Sequence, residues 1–356
     1  MTVCSNVIII ILATFDLLIQ PLNALLLTLA AILVLRPLAV RVGLLDHPGG
    51  RRMHASPAEL TGGIAISLSV IGLGVDAGGA QVGTLILPLA LMLLVGVVDD
   101  FVEMRATHSM LMQCLVAYLL AADSGLGVQH LGDLVGLGDL GTAWLAVPFT
   151  MVCTVGVINA INMVDGMDGV AGSLSLSSVA AFGYLAYLTG QQAIFFVCLV
   201  LAGGLVGFLG FNLRSPWRAH ATVYLGSAGS MCLGLILTWL AIGLSGAKGS
   251  PVPPMTCVWV IGLPLMDMAR VMVGRVRRGL SPMDSDRTHL HHVTEGLGLS
   301  YWAGLGTKLV LSLLFASVGV LGWRLQVPEW LMFAGFLGVL GLYIKLVGGL
   351  ARRLGA

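Results

Sequence analysis

Eleven stretches of this chain are apolar over most or all of the roughly 20 residues that a bilayer-crossing helix needs, and nothing else in the sequence constrains the fold as much. They lie near residues 20–39, 62–76, 83–98, 109–122, 143–161, 170–188, 193–212, 224–244, 253–273, 304–323 and 330–349. The second and fourth are short, and the first is free to begin earlier, because 7–19 is also apolar. Only 10% of the residues are charged, against about 25% in soluble domains. The expectation is an all-α polytopic integral membrane protein with about eleven transmembrane helices, forming a single domain over residues 1–356.

The basic residues orient it. With Arg352 and Arg353 in the cytoplasm, sixteen of the eighteen Lys and Arg fall on the cytoplasmic side, and only Lys248 and Arg324 fall outside. That is the positive-inside pattern, and it puts the N-terminus outside. Trp144, Trp302, Trp323 and Trp330 lie near span ends, as interfacial anchors do. No Lys or Arg precedes Arg36, so the basic start of a cleaved signal peptide is not expected. The six cysteines are isolated and without a Cys-x-x-Cys pair, so they read as small hydrophobes. No basic domain suggests nucleic acid. The loop 123–142 is the longest external one and reads as a short hairpin or irregular cap.

A mid-bilayer carboxylate costs roughly 2.5–3.5 kcal/mol on insertion scales, and the Asp-rich clusters sit accordingly at span ends. All are cytoplasmic ends. Residues 159–169, Asn-Ala-Ile-Asn-Met-Val-Asp-Gly-Met-Asp-Gly, repeat a polar group every third position. On a straight α-helix each such step drifts by roughly 60°, so Asn159 and Asp168 would face opposite ways; on a tighter turn they line up. Gly166 and Gly169 mark where the helix loosens or stops. Helix capping is the plain alternative.

The other clusters each allow two readings. Asp46, Arg51, Arg52 and His54 surround Gly49-Gly50 in the first loop, a phosphate contact or a topogenic basic loop. Adjacent Asp99 and Asp100 repel one another and suit Mg²⁺ or Mn²⁺, or are solvated helix-end charges. The run Tyr224–Ser230 opens a helix with small residues, which offers N–H groups to a phosphate or serves close packing. Asp286, Arg287, His289, His291 and His292 crowd one loop. With no Cys nearby they read as a phosphate or sugar clamp more than a zinc site, or as surface histidines. Carboxylates for a hard cation beside Arg and His for anions are what phosphoryl transfer requires, and their place at the membrane surface suggests a lipid substrate. A transporter would carry ionisable groups at mid-span; here they sit at span ends, and no sequence repeat is evident.

Four motifs, Asp46-x-Pro48…Arg51…His54, Asp99-Asp100, Asn159-x-x-Asn162-x-x-Asp165-Gly166-x-Asp168-Gly169 and Arg287-x-His289-x-His291-His292, together resemble the polyprenyl-phosphate N-acetylhexosamine-1-phosphate transferase family. The branch acting on undecaprenyl phosphate and UDP-N-acetylglucosamine is the most similar. The resemblance covers nearly the whole chain from about Arg36. It implies a transferase at the cytoplasmic face of the bacterial plasma membrane, whose UDP-N-acetylhexosamine donor gives sugar 1-phosphate to undecaprenyl phosphate and releases UMP. That step starts a lipid-linked cell-envelope polysaccharide such as an O-antigen. It also implies Mg²⁺ (or Mn²⁺) as cofactor. By the same resemblance Asp99, Asp100, Asp165 and Asp168 are catalytic, with Asp99 the candidate base. Asn162, Asp99, Asp100 and Asp168 are metal ligands, and Arg51, His54, Asn159, Arg287, His289, His291 and His292 bind substrate. A homodimer is compatible with all of this. One departure stands out. Many relatives have Gly-Asp-x-Gly-Ser where this chain has Gly226-Ser227-Ala228-Gly229-Ser230, and that Asp is implied to ligate the metal. Loss of an anionic oxygen weakens a Mg²⁺ site, so a non-catalytic or metal-impaired member that binds nucleotide or lipid phosphate is the alternative.

Overall fold

The apolar runs are helices in the computed structural model, which describes residues 2–46, 58–77, 79–122, 126–281 and 289–354, with backbone alone for 2–17, 76 and 77. In order they are α1 (Thr2–Val42), α2 (Gly62–Ala77), α3 (Gly79–Val102), α4 (Ala106–Ala122), α5 (Ala146–Val164), α6 (Val170–Leu188), α7 (Gln192–Asn212), α8 (Gly226–Ser245), α9 (Pro254–Val260), α10 (Gly262–Arg277), α11 (Leu290–Gly296), α12 (Tyr301–Arg324) and α13 (Glu329–Arg353). Among the described residues, eight helices are long and apolar enough to cross a membrane, and nine if the bent pair α9–α10 counts as one span. Gly62–Val75 and Ala106–Ala122 are apolar but shorter, as the sequence suggests for the second and fourth runs.

The run at 253–273 is not one straight helix. It breaks at Ile261, and α9 and α10 meet at 78°. The cause is Pro264, which has no N–H to give the carbonyl four residues back. That carbonyl, on Val260, accepts instead from Ser178 Oγ of α6 at 3.1 Å, which is how a helix break is made tolerable away from water.

The most buried of the long helices is α8, packed among α2, α3, α5 and α6, with α7 lying against α1, α2 and α6. Small residues open α8, so Ala228 lies against the backbone of Gly96 and Gly229 against that of Gly63. Close backbone approach of this kind is how helices associate in lipid, where apolar surface gives no drive of its own. Further along α8, Trp239 is fully buried and its Nε1–H donates to Thr84 Oγ1 of α3 at 3.1 Å. A second apolar cluster joins α6, α9, α10, α12 and α13, with Trp259 between the rings of Phe315 and Phe336. Cys198, Cys232 and Cys257 are buried free thiols.

The two ends of the bundle differ. At one, 126–142 forms an irregular cap. Leu131 N–H donates to Leu140 O and Leu140 N–H to Gly132 O, His130 bridges Asp139 and Ala247 O, and the Glu329 carboxylate accepts from the N–H groups of Asp133 and Met255. At the other end the chain holds its polar clusters. There β1 (Leu45–Asp46) pairs antiparallel with β2 (Ala58–Glu59), and Glu59 adds a bridge to Val223 and an ion pair to Arg36 at 3.2 Å.

Candidate active site

The C-terminal ends of α3, α5 and α7 and the N-terminal end of α8 surround a cavity of about 830 Å³. Asp46, Asp99, Asp100, Asn162, Asp165 and Asp168 line it, with Ser227, Arg214, His220, His291, His292 and Glu295. Residues as far apart in sequence as Asp46 and Glu295 thus share one polar space.

Its floor is the turn between α5 and α6. The helix stays regular to Val164, and Asp165 caps it (φ −79°, ψ 47°). Gly169 takes a left-handed conformation (φ 79°) to start α6, which few other residues tolerate. The Gly169 N–H donates to Asn212 Oδ1 at 2.7 Å, and the Asn212 amide donates to Val223 O at 2.8 Å, so a buried Asn at the end of α7 fixes this turn. Asp168 Oδ2 accepts from Arg214 Nε at 2.7 Å and Ala221 N at 3.2 Å. Arg214 also lies over the Tyr301 ring, 4.5 Å from its centroid, and Tyr301 Oη donates to Asp168 O at 3.1 Å. Asn162 donates to Ser230 Oγ at 2.8 Å, which commits its nitrogen and not its oxygen.

Asn159 does not join them. Because α5 keeps its α-helical pitch through Val164, the three-residue step turns Asn159 aside. Its amide donates to Gln113 Oε1 of α4 at 2.7 Å and to Val155 O at 2.8 Å, and it does not line the cavity. In this structure Asn159 links α5 to α4 and stands apart from the other members of its cluster.

The adjacent pair on α3 divides. Asp100 accepts Ser227 N–H on Oδ1 at 2.7 Å and Ala228 N–H on Oδ2 at 3.1 Å, so it caps α8. The helix N-terminus that the sequence offers to a phosphate is filled by this carboxylate, and its small residues serve packing. Asp99 accepts only Met104 N–H, at 3.1 Å, among the described residues. Ser227 itself lines the cavity.

Among the described residues the Asp165 carboxyl has no hydrogen-bond partner. Burial, then the charges of Asp100, Asp168 and Asp46, push it up to about 7. No three described His, Cys, Asp or Glu side chains are grouped closely enough to hold a metal by themselves. Mg²⁺, however, is usually held by one or two carboxylates, with water and substrate phosphates completing the shell. An oxygen-only donor set of Asp99, Asn162 and Asp165, with an unpartnered carboxyl repelled by its neighbours, fits such a cation. Asp100 and Asp168, expected as ligands, have oxygens already engaged by N–H groups and Arg214.

Opposite this floor stands α11. The His291 ring lies against Gly166 so closely that a Cβ there would sit 2.4 Å from it. Burial first, then His292 beside it, lowers His291 to about 3, so its imidazole is neutral and reads hydrogen bonds, not charge. His292 is tilted against it at 4.1 Å between centroids and faces Glu295 at 3.6 Å. His289 does not line the cavity. It is buried behind, with Nδ1 on Asp267 Oδ2 at 3.1 Å, apart from His291 and His292. Arg51, His54 and Arg287 lie outside the described residues. The sequence reading missed Asn212, a lone amide closing an apolar helix, and the structural weight of Asp267 and Arg214.

Three bacterial relatives share most of their length with this chain. An undecaprenyl-phosphate alpha-N-acetylglucosaminyl 1-phosphate transferase of Yersinia pestis is 32% identical over 320 residues, 89% of this chain and 87% of the relative. The protein so named in Haemophilus influenzae is 32% identical over 315 residues, 88% and 89% of the two chains. That of Escherichia coli K12 is 30% identical over 311 residues, 86% and 84%. The model of glycosyl transferase family 4 matches residues 82–245, a span that runs from α3 through α8 and so carries Asp99, Asn162, Asp168 and Ser227. On this near full-length similarity, the chain belongs to glycosyl transferase family 4.

Proposed function

We propose that this protein transfers N-acetylglucosamine 1-phosphate from UDP-N-acetylglucosamine to undecaprenyl phosphate, releasing UMP and starting a lipid-linked cell-envelope polysaccharide. The observation that carries the reading is the convergence of Asp99, Asn162, Asp165 and Asp168 with His291 and His292 on one cavity at one end of an apolar helix bundle. The names of the relatives support undecaprenyl phosphate as acceptor and N-acetylglucosamine 1-phosphate as the group moved; the UDP donor is part of the proposal. In this reading the bundle has eleven spans in the plasma membrane, N-terminus outside and C-terminus inside, and the cavity opens to the cytoplasm, where a UDP-sugar is available.

A phosphate oxygen of the lipid attacks the β-phosphorus of the donor. The new P–O bond forms as the bond from that phosphorus to the bridging oxygen breaks, and UMP departs with the electron pair. Asp99 orients the attacking phosphate or takes its proton. Asp99, Asn162 and Asp165 would hold Mg²⁺ (or Mn²⁺), and the bound cation would neutralise charge on the phosphates. The neutral His291, with His292, meets the sugar and its hydroxyl or acetamido groups. Asp168, fixed by Arg214, holds the turn that presents Asp165.

The test is UMP release by the purified protein with a polyprenyl phosphate, Mg²⁺, and UDP-GlcNAc or UDP-GalNAc. Release with UDP-GlcNAc supports the reading, and none with any UDP-N-acetylhexosamine overturns it. Ser227 in the cavity favours a second reading, binding of nucleotide or lipid phosphate without turnover. Nucleotide binding with no UMP release, unrescued by Ser227→Asp, selects that one.

A further inference from the structure

Helix α11 carries His291 and His292, yet it is seven residues long, too short to hold a helical form unaided in water. Two buried charges from neighbouring helices grip it. From α10, Asp267, 1% exposed, accepts the Leu290 N–H at 3.2 Å and His289 Nδ1 at 3.1 Å. Its remaining capacity is filled by Arg270 Nη2 and Tyr343 Oη of α13, each at 3.1 Å. From α12, Lys308, 2% exposed, donates to Thr294 Oγ1 at 2.9 Å and Gly304 O at 3.0 Å. The Thr294 hydroxyl in turn donates to His291 O at 2.8 Å. Asp267, Leu290, His291 and Lys308 line one small internal cavity, so both charges stand beside the helix start.

Stability alone does not call for a buried charge at either position. A buried ionic group replaced by an apolar one of similar volume is often neutral or stabilising, and the best-attested use of such groups is to fix register. Here the register fixed is that of α11. Asp267 sets its first N–H, and Lys308 sets the hydroxyl one turn later. Between those points His291 reaches Gly166 and His292 faces the cavity. The first loop, α3 and α8 need none of this; only the histidine side of the cavity does.

We infer that Asp267 and Lys308 are positioning residues that hold α11 at two points one turn apart and so set the reach of His291 and His292 into the cavity. The consequence for catalysis rests on the transferase reading above, and the experiment therefore has a readout that does not.

The full-length protein in lipid nanodiscs is treated with diethyl pyrocarbonate, and the modification rate of each histidine is followed by mass spectrometry. His108 is exposed, lies outside the cavity lining and serves as the internal control. Thermal stability and UMP release are measured on the same samples. In Lys308→Met and in Asp267→Asn, His291 and His292 react several-fold faster while His108 does not change. The thermal midpoint of Lys308→Met holds or rises, and kcat falls by about tenfold or more, the scale of a small misplacement at a reacting centre. Lys308→Gln, which returns a donor to Thr294, recovers the protection and most of kcat. Unchanged rates at His291 in both Lys308→Met and Asp267→Asn overturn the inference. So does a uniform rise at all three histidines in every variant, Lys308→Gln included, since that is loss of fold. If the parent protein releases no UMP, the transferase reading fails while the labelling still decides whether the clamp exists.

Discussion

Replacing Asp165 by Asn removes a charge and leaves the shape of the turn. The carboxyl stands at about 7 in the folded protein against an ordinary 3.8, an interval worth on the order of 4 kcal/mol at full ionisation. Water at the cavity mouth screens part of that, so about 1–3 kcal/mol is the expected effect. Its sign follows from the direction. A carboxyl raised on folding favours the protonated protein, so the stability it contributes is complete below about pH 4 and is lost as pH rises through about 7. In EDTA the parent protein therefore loses thermal stability over that interval, by roughly 2 °C per kcal/mol, and Asp165→Asn does not. Mg²⁺ restores the parent at alkaline pH, because a cation replaces the missing proton, and leaves Asp165→Asn unaffected. UMP release falls by about 100-fold, the scale for removing one electrostatic contact to the transition state. Differential scanning fluorimetry across pH, with EDTA or Mg²⁺, makes the measurement. Parallel pH slopes in the two proteins, or equal stabilisation of both by Mg²⁺, would refute the reasoning.

Ser227→Asp adds an anionic oxygen to the cavity and lowers the Mg²⁺ concentration for half-maximal UMP release by about tenfold; an unchanged Mg²⁺ titration shows that position 227 takes no part in cation binding. Gly166→Ala puts a Cβ 2.4 Å from the His291 ring, so kcat/KM drops by about tenfold or more with the fold kept, and kinetics like the parent's would refute the contact. With His291 held near 3, His291→Asn lowers kcat/KM without changing the shape of the profile between about pH 5 and 8. A limb lost from that profile would mean that His291 does titrate there.

The bundle was legible because lipid demands long apolar runs, and residues 170–188 read from sequence coincide with α6. The break at Ile261 was not, although Pro264 signals one, since a broken helix in lipid needs a partner for its freed carbonyl and Ser178 lies far away in sequence. In the site, the clusters at span ends were legible as charge that the bilayer excludes. Which members of each cluster face the cavity was not. That depends on the helical phase at Asn159, on whether 290–296 forms a helix, and on tertiary acceptors such as Asp267 that no local spacing reveals.

Asp99 and Asp100 are neighbours in sequence and would be scored as one motif, but they do different work. Asp100 offers two acceptors to two N–H groups of α8, and an amide in its place has only one oxygen, so Asp100→Asn frees the start of the most buried helix. Asp99→Asn disturbs a single N–H bond and leaves that helix alone. Both variants lose UMP release and look alike in an activity screen, yet one is an enzyme that has lost a reagent and the other an enzyme that has lost a bolt. Inactivity on its own therefore ranks neither residue as chemical, and only a measurement of how firmly the first turn of α8 is held separates the two.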